Sequence, residues 1–464
     1  MKKKILLISY LLSLVILKTN AQNTIAGNFS SIKGESIRLM GYRGVDVFTI
    51  DSTVVTAQGD FTLHYSDANQ GMGYLLTKEN TSYAVVLEKG KVKLTGQSPA
   101  EAETIVINQG EQNKLFVQYA LAHGKREQAL SAWLYLKNLY GSDTLFKNQL
   151  ISKIQIESEI NYLKKSDSLF LEKLPHNSFM YWYLPVRKLI SDVQSVANTR
   201  PKEIPVYTKA FRNIDYTYPM LFTSGLLSNL IESQFWLIEN SGLEPTEVVK
   251  EMNISVDFIL ASVNKNQKLY DEFTDYLFQY FEKHSLFSSS EYIALKALNQ
   301  KGLQLNFSLV NKLETYRKIK LGSIAPEIEF KGDVYVNKEQ VNNIKRLSDI
   351  KSKYKLVIIG GSWCERCRSE VIQVIPHQEN WKKLGIEVVI VSLDTDKKAF
   401  EEFATEFPFI FACDYKKWET QAAKDYYVSS SPTLFLLDSD NKIILRPATI
   451  PVLDDWLESN SLIR

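Results

Sequence analysis

The stretch that most constrains this chain is Lys355 to Glu370, KLVIIGGSWCERCRSE. Leu356 to Ile359 is an apolar, largely β-branched run of the kind that forms a buried strand, and Gly360-Gly361 lets the chain turn after it. If a helix begins at Cys364, then Cys364 and Cys367 stand three residues apart on one helical face. That spacing suits a disulfide, whose Cα atoms must come within about 7 Å. The free amides and positive dipole end of such a helix would face the Cys364 sulfur and favour its thiolate.

Cysteine is scarce elsewhere. Cys413 is the only other one in 464 residues, far too few for a secreted fold stapled by disulfides. A chain this long should hold two or three domains. Its 55 basic and 53 acidic residues nearly cancel, which argues against nucleic acid as the main partner. Lys2, Lys3 and Lys4 precede an apolar run from Ile5 to Leu17, and Ala21 is small enough to end a cleavage site. Residues 1–21 therefore read as a signal peptide, with an uncleaved N-terminal anchor as the alternative. No later stretch is long and apolar enough to cross a bilayer. One close cysteine pair in an exported protein suggests working chemistry in an oxidising compartment.

Residues 22–98 read as a small antiparallel β sandwich or barrel, with short runs such as GDFTLHY and KVKLTG punctuated by Gly, Asp and Asn. No constellation of catalytic residue types occurs there; His64 on an alternating strand reads as solvated. From 99 to 320 the apolar period becomes helical, as in Tyr270, Phe273, Leu277, Tyr280 and Phe281, and about eight helices are expected. Aromatic density such as Tyr181-Trp182-Tyr183 reads as core packing rather than a ligand groove. At Leu321 to Pro326 composition shifts again. Residues 321–464 then alternate strands and helices, predicting an α/β layer with buried parallel strands. The expected order begins with a strand at Glu327 to Phe330 and a helix near Lys345.

This last segment resembles the thioredoxin-like superfamily, most nearly its exported TlpA/ResA-type thiol–disulfide oxidoreductases. The matching pieces are LGSIAPEIEF, LVIIGGSWCERCRSE, IEVVIVSLD and YYVSSSPTLFLLDSDNKII, four motifs in the family's order. The strand-rich and helical parts before it look similar to the β domain and helical insert often fused to such modules in envelope proteins. The resemblance implies that Cys364 is the exposed attacking thiol, Cys367 the buried resolving thiol, and the pair a redox disulfide. It further implies that Trp363 shields the pair, that Pro432 is cis, that Ser431 and Pro432 pair with a substrate's extended chain, and that Glu370 is an acid near the cysteines. Protein disulfide clients, a membrane thiol electron donor and a periplasmic location follow from the same likeness, and no cofactor or metal is expected.

Several residues depart from the family pattern. Glu365-Arg366 stands between the cysteines; Arg366 and Arg368 would favour a thiolate while Glu365 would oppose it. Ile358 stands where thioredoxin itself has a buried aspartate, and Ile372 replaces an expected proline. The sequence thus predicts thiol–disulfide exchange, with reduction of clients favoured by the resemblance. A zinc site would need four ligands, and only Cys413 and scattered histidines remain. Cys413 reads as a buried free thiol. Peroxidase chemistry is disfavoured because Gly-Gly-Ser-Trp precedes the pair. The rival from another class is an envelope binding protein whose thioredoxin-like part serves docking or redox sensing.

Overall fold

The computed structural model describes residues 23–300 and 305–460. The expected signal peptide falls outside them. Two compact units divide between Glu244 and Pro245. The helical segment is therefore shared, with six α-helices before the division and four between it and Arg317 among the described residues.

In the first unit two four-stranded sheets enclose a common core of Ile25, Phe29, Leu63 and Leu94 from one and Leu39, Leu75, Val85 and Leu87 from the other. One sheet runs Asp60–Tyr65, Asn23–Phe29, Lys91–Gly96, Val106–Gln109; the other runs Asp46–Val54, Ser36–Arg43, Gly71–Thr77, Ser82–Leu87. Their pairings are antiparallel except that of Asn23–Phe29 with Lys91–Gly96. Alternation explains the packing: Phe61, Leu63 and Tyr65 are buried while Asp60 and Thr62 are exposed. His64 is only partly buried, and its Nδ1 finds no hydrogen-bond partner.

The long helix Glu111–Ser142 exceeds what the periodicity suggested, and the expected eight helices become ten. Its buried positions include Asn113 and His123 beside Phe116, Tyr119 and Leu130, so its apolar stripe is faint. Asn113 docks it on the edge strand Ser82–Leu87, accepting the Val86 N–H at 2.8 Å and donating to the Val86 carbonyl at 2.9 Å. That satisfies an otherwise open sheet edge. In Tyr181-Trp182-Tyr183, Tyr183 is buried and Tyr181 is exposed.

The second unit begins with helices Pro245–Val263, Gln267–Lys283, Phe287–Asn299 and Phe307–Arg317. Asn266 and Asn306 cap the second and fourth, each side chain accepting an N–H three residues on. The aromatic stripe of Gln267–Lys283 is buried as its spacing predicted. A seven-stranded sheet follows in the order Glu339–Val341, Asp333–Val336, Ile410–Cys413, Ile386–Ser392, Tyr354–Gly360, Thr433–Asp438, Ile443–Leu445. The three central pairings that join Tyr354–Gly360, Ile386–Ser392 and Ile410–Cys413 to one another and to Thr433–Asp438 comprise two parallel and one antiparallel. The parallel strands are buried almost without interruption, as expected when helices cover both faces.

Two local expectations are corrected. Residues Glu327 to Phe330 form no strand, only an isolated bridge of Glu329 to Arg346, and the helix expected near Lys345 is reduced to the single 3-10 turn Leu347–Asp349. A hairpin of Asp333–Val336 with Glu339–Val341 takes their place, turning on Asn337 and Lys338, both with positive φ (49° and 73°). Two adjacent positive-φ residues suit the twist of a tight hairpin, and asparagine tolerates that conformation well. The helix Ile450–Ser459, starting at Ile450-Pro451, was also not anticipated. The helices of this unit meet the sheet at Arg446, whose guanidinium bonds Tyr316 Oη, lies 3.3 Å from Glu282 Oε2, and stacks on the Phe287 ring at 4.1 Å.

Candidate functional site

Strand Tyr354–Gly360 delivers the chain to the top of the sheet, and helix Glu365–Val374 leaves it. Cys364 is the N-cap residue, in extended conformation, and its Sγ accepts the Cys367 N–H at 3.1 Å. Cys364 and Cys367 are joined by a disulfide with Cα atoms 5.2 Å apart. Cys367 is buried while Cys364 is only partly covered, so an approaching sulfur reaches Cys364 first. On reduction, the helix terminus offers its free amides to a Cys364 thiolate.

Two glycines make this junction possible. A Cβ on Gly360 would sit 2.7 Å from Cys367 Sγ, and one on Gly361 would sit 2.5 Å from Trp363 Nε1. Only bare backbone admits the buried sulfur on one side and the indole on the other. Trp363 is half exposed (50%), donates to the Leu393 carbonyl at 3.2 Å, and packs edge-on to Trp418 at 6.1 Å between centroids. Lys417 Nζ lies 5.0 Å above the Trp363 ring. The turn itself is tied by buried Asp394, which accepts from Ser362 Oγ at 2.7 Å, from the Ser362 N–H at 3.1 Å, and from Ser392 Oγ.

Across from the disulfide, the Ser431–Pro432 peptide bond is cis. The Ser431 carbonyl oxygen is 3.7 Å from Cys364 Sγ, and Pro432 Cα closes over the bare Gly360 position. Strand Thr433–Asp438 holds that loop, pairing Thr433 with Ile359. The sequence thus brings Trp363, Cys364, Cys367, Ser431 and Pro432 to one place.

Other residues lie differently from expectation. Arg368 does not face the cysteine pair as a free cation: its guanidinium bonds both Glu406 oxygens at 2.9 and 2.7 Å, drawn onto helix Lys397–Glu406. Arg366 and Glu365 are exposed. Glu370 is buried on the same helical face as Cys367, and its Oε2 accepts the Ile450 N–H at 2.7 Å, capping the last helix. Ile358 is buried in the core beside Leu434 and Ile390, so no acid lies beneath the pair at that position. Cys413 is buried and free; its thiol lies 3.6 Å from the Asp394 carbonyl, and burial pushes it up to about 11.

Asp394, Trp418 and Lys417 were not singled out by sequence reasoning. Asp394 closes the IEVVIVSLD run, where an acid two residues after the serine that ends a buried strand was the available signal. Nothing local in Lys416 to Glu419 marks Trp418, whose neighbour Lys417 adopts positive φ (53°).

With that geometry in hand, residues 352–443 match the family model described as thioredoxin-like, and residues 23–116 match a domain of unknown function, DUF4369. The chain carries a thioredoxin-like domain at its C-terminal end. Its relatives include the thiol-disulfide oxidoreductase ResA of Oceanobacillus iheyensis, 25% identical over 30% of this chain and 70% of that protein. The protein of the same name in Bacillus subtilis is 30% identical over 21% of this chain and 54% of its own length. A crystal structure of a thioredoxin-like protein from Bacteroides caccae aligns with a TM-score of 0.42 at 15% identity, covering 56% of this chain and 93% of its own.

Proposed function

We propose that this chain is an exported thiol–disulfide oxidoreductase, with its redox module in about residues 321–464, that exchanges disulfides with envelope protein clients. The observation that carries this reading is the Cys364–Cys367 disulfide at a helix N-terminus, its outer sulfur partly exposed beside the Ser431 carbonyl. In the reduced enzyme the Cys364 thiolate attacks one sulfur of a client disulfide, and the other client sulfur leaves and takes a proton. Cys367 then loses its proton and attacks the Cys364 sulfur of the mixed disulfide. The second client thiol is released, the Cys364–Cys367 bond forms, and two electrons have passed to the client.

The backbone N–H and carbonyl groups around Ser431 offer an extended client chain a short strand-like partner. With Ile358 buried and apolar and Glu370 engaged by Ile450, solvent takes the Cys367 proton. Reduction rather than oxidation, and resupply by a membrane thiol donor, rest on the resemblance to TlpA/ResA-type oxidoreductases, and export on the leader-like first 21 residues. Among the described residues no helix is long and apolar enough to cross a membrane.

Insulin reduction followed by turbidity tests the reading. The wild-type protein should accelerate precipitation with dithiothreitol as electron source, and Cys364→Ser should abolish the acceleration. No activity with dithiothreitol or a native reductant, and no difference in Cys364→Ser, would overturn it in favour of a binding protein.

A further inference from the structure

A second concentration of chemistry lies in the first unit, far along the sequence from the cysteines. His123 and Glu127 stand four residues apart on one face of Glu111–Ser142, and Asp192 joins the helices Phe179–Ser191 and Val193–Thr199. One potential ligand atom from each lies within 4.8 Å of the others.

The surroundings prepare these atoms for an electrophile. Asp167 Oδ2 is 2.9 Å from His123 Nδ1, and Asp167 is itself held by Arg126 Nε at 2.8 Å. A carboxylate on Nδ1 is the usual support for a metal-binding histidine; Nε2 is itself ion-paired with Asp192, so it offers its lone pair to an ion only by giving up the proton held there. Nε2 is 3.1 Å from Ser191 Oγ and 3.5 Å from Asp192 Oδ1. Asp192 is fully buried; its Oδ2 is taken by Lys188 and by the Tyr207 hydroxyl at 2.8 Å, while Oδ1 has no hydrogen-bond partner. With the His123 imidazole at 3.5 Å as its ion-pair partner and no shorter hydrogen bond, this buried carboxylate oxygen is only weakly satisfied. Two ligand atoms each about 2.1 Å from one tetrahedral ion are about 3.4 Å apart, close to the 3.5 Å seen between Nε2 and Oδ1. A cavity of about 190 Å³ borders Glu127, Lys188 and Arg200 and leaves room for water on the Glu127 side, while His123 and Asp192 lie behind its wall.

We propose that His123 Nε2, Asp192 Oδ1 and the Glu127 carboxylate form a binding site for a divalent transition cation, with zinc the best match to one imidazole and two carboxylates. Lys188 and Arg200 sit on the remaining oxygens, Arg200 at 3.4 Å from Glu127 Oε2. They orient the ligands and also weaken the ion's hold, so this is an exchangeable site rather than a closed structural one. Binding displaces any proton on His123 Nε2 to solvent.

The test uses the full chain, stripped with chelator and kept oxidised so that the Cys364–Cys367 pair cannot bind metal. Zinc chloride alone is titrated against a chromogenic chelator, and cobalt(II) substitution is followed by its visible spectrum. One equivalent should bind, with four- or five-coordinate cobalt bands. Glu127→Gln and His123→Gln should each weaken zinc at least tenfold while Cys413→Ser changes nothing. If His123→Gln fails to fold, Glu127→Gln decides, with circular dichroism checking its fold. No zinc bound, or affinity unmoved in Glu127→Gln, would leave a closed ion-pair network only and overturn the proposal.

Discussion

Gly360→Ala is the sharpest perturbation of the redox site that leaves its reactive groups in place. The new methyl would lie 2.7 Å from Cys367 Sγ and 3.2 Å from Cys367 Cβ. Comfortable contact between such atoms begins at about 3.5 Å, so close to an ångström must be found. Neither side yields easily. The Gly360 carbonyl accepts the Leu393 N–H at 2.9 Å and the residue is in register with Ser392, while Cys367 is buried on a packed helix. Overpacking of this kind costs about 1–3 kcal/mol. The disulfide fixes the Cys367 side chain, whereas the free thiol can turn away, so the oxidised protein should lose more stability than the reduced. Gly361→Ala is the control, because the half-exposed Trp363 can swing out at the loss of one hydrogen bond, worth about 1 kcal/mol. Urea unfolding of oxidised and reduced protein, followed by tryptophan fluorescence, measures all four differences. An unchanged oxidised midpoint in Gly360→Ala, or a larger loss in Gly361→Ala, would refute the packing argument.

Three further outcomes follow from other buried groups. Arg446→Met leaves buried Glu282 without its cation and should cost about 3–5 kcal/mol in urea unfolding, most of it recovered in the double variant with Glu282→Leu; equal losses in the two would contradict this. Burial raises the Cys413 thiol to about 11 from an ordinary 9, so the neutral thiol's contribution is complete below pH 9 and lost as pH rises through 11. Two pH units correspond to roughly 3 kcal/mol, so wild type should lose stability between pH 9 and 11 in excess of Cys413→Ala, and parallel curves would count against it. Glu370→Gln retains an oxygen for the Ile450 N–H and should leave the pH profile of disulfide exchange unmoved; a shifted profile would give Glu370 a proton-transfer role instead.

The cysteine pair and its strand were legible because their signals are local. A buried strand reads as an apolar run, a turn as glycines, and a helix start as a residue that can cap it. The hairpin at Asn337-Lys338 was missed because lysine in a positive-φ turn position carries no propensity signal. The length of helix Glu111–Ser142, within the segment read as helical, was not legible because it buries Asn113 and His123, whose partners Val86 and Asp167 are distant in sequence. Charge was the least legible property. Arg368 reads as a cation near the cysteines, yet Glu406, thirty-eight residues on, claims it. Asp394 and Asp192 owe their importance to partners assembled by the fold, which spacing alone does not reveal.

The central claim is that Cys364 attacks and Cys367 resolves. A Cys367→Ser variant, reduced and mixed with envelope extract, tests it by non-reducing electrophoresis and mass spectrometry of the trapped adducts. The account predicts mixed disulfides joined through Cys364, released by dithiothreitol and lost when Cys364→Ser is added. Adducts formed through Cys413, or none that depend on Cys364, would contradict it.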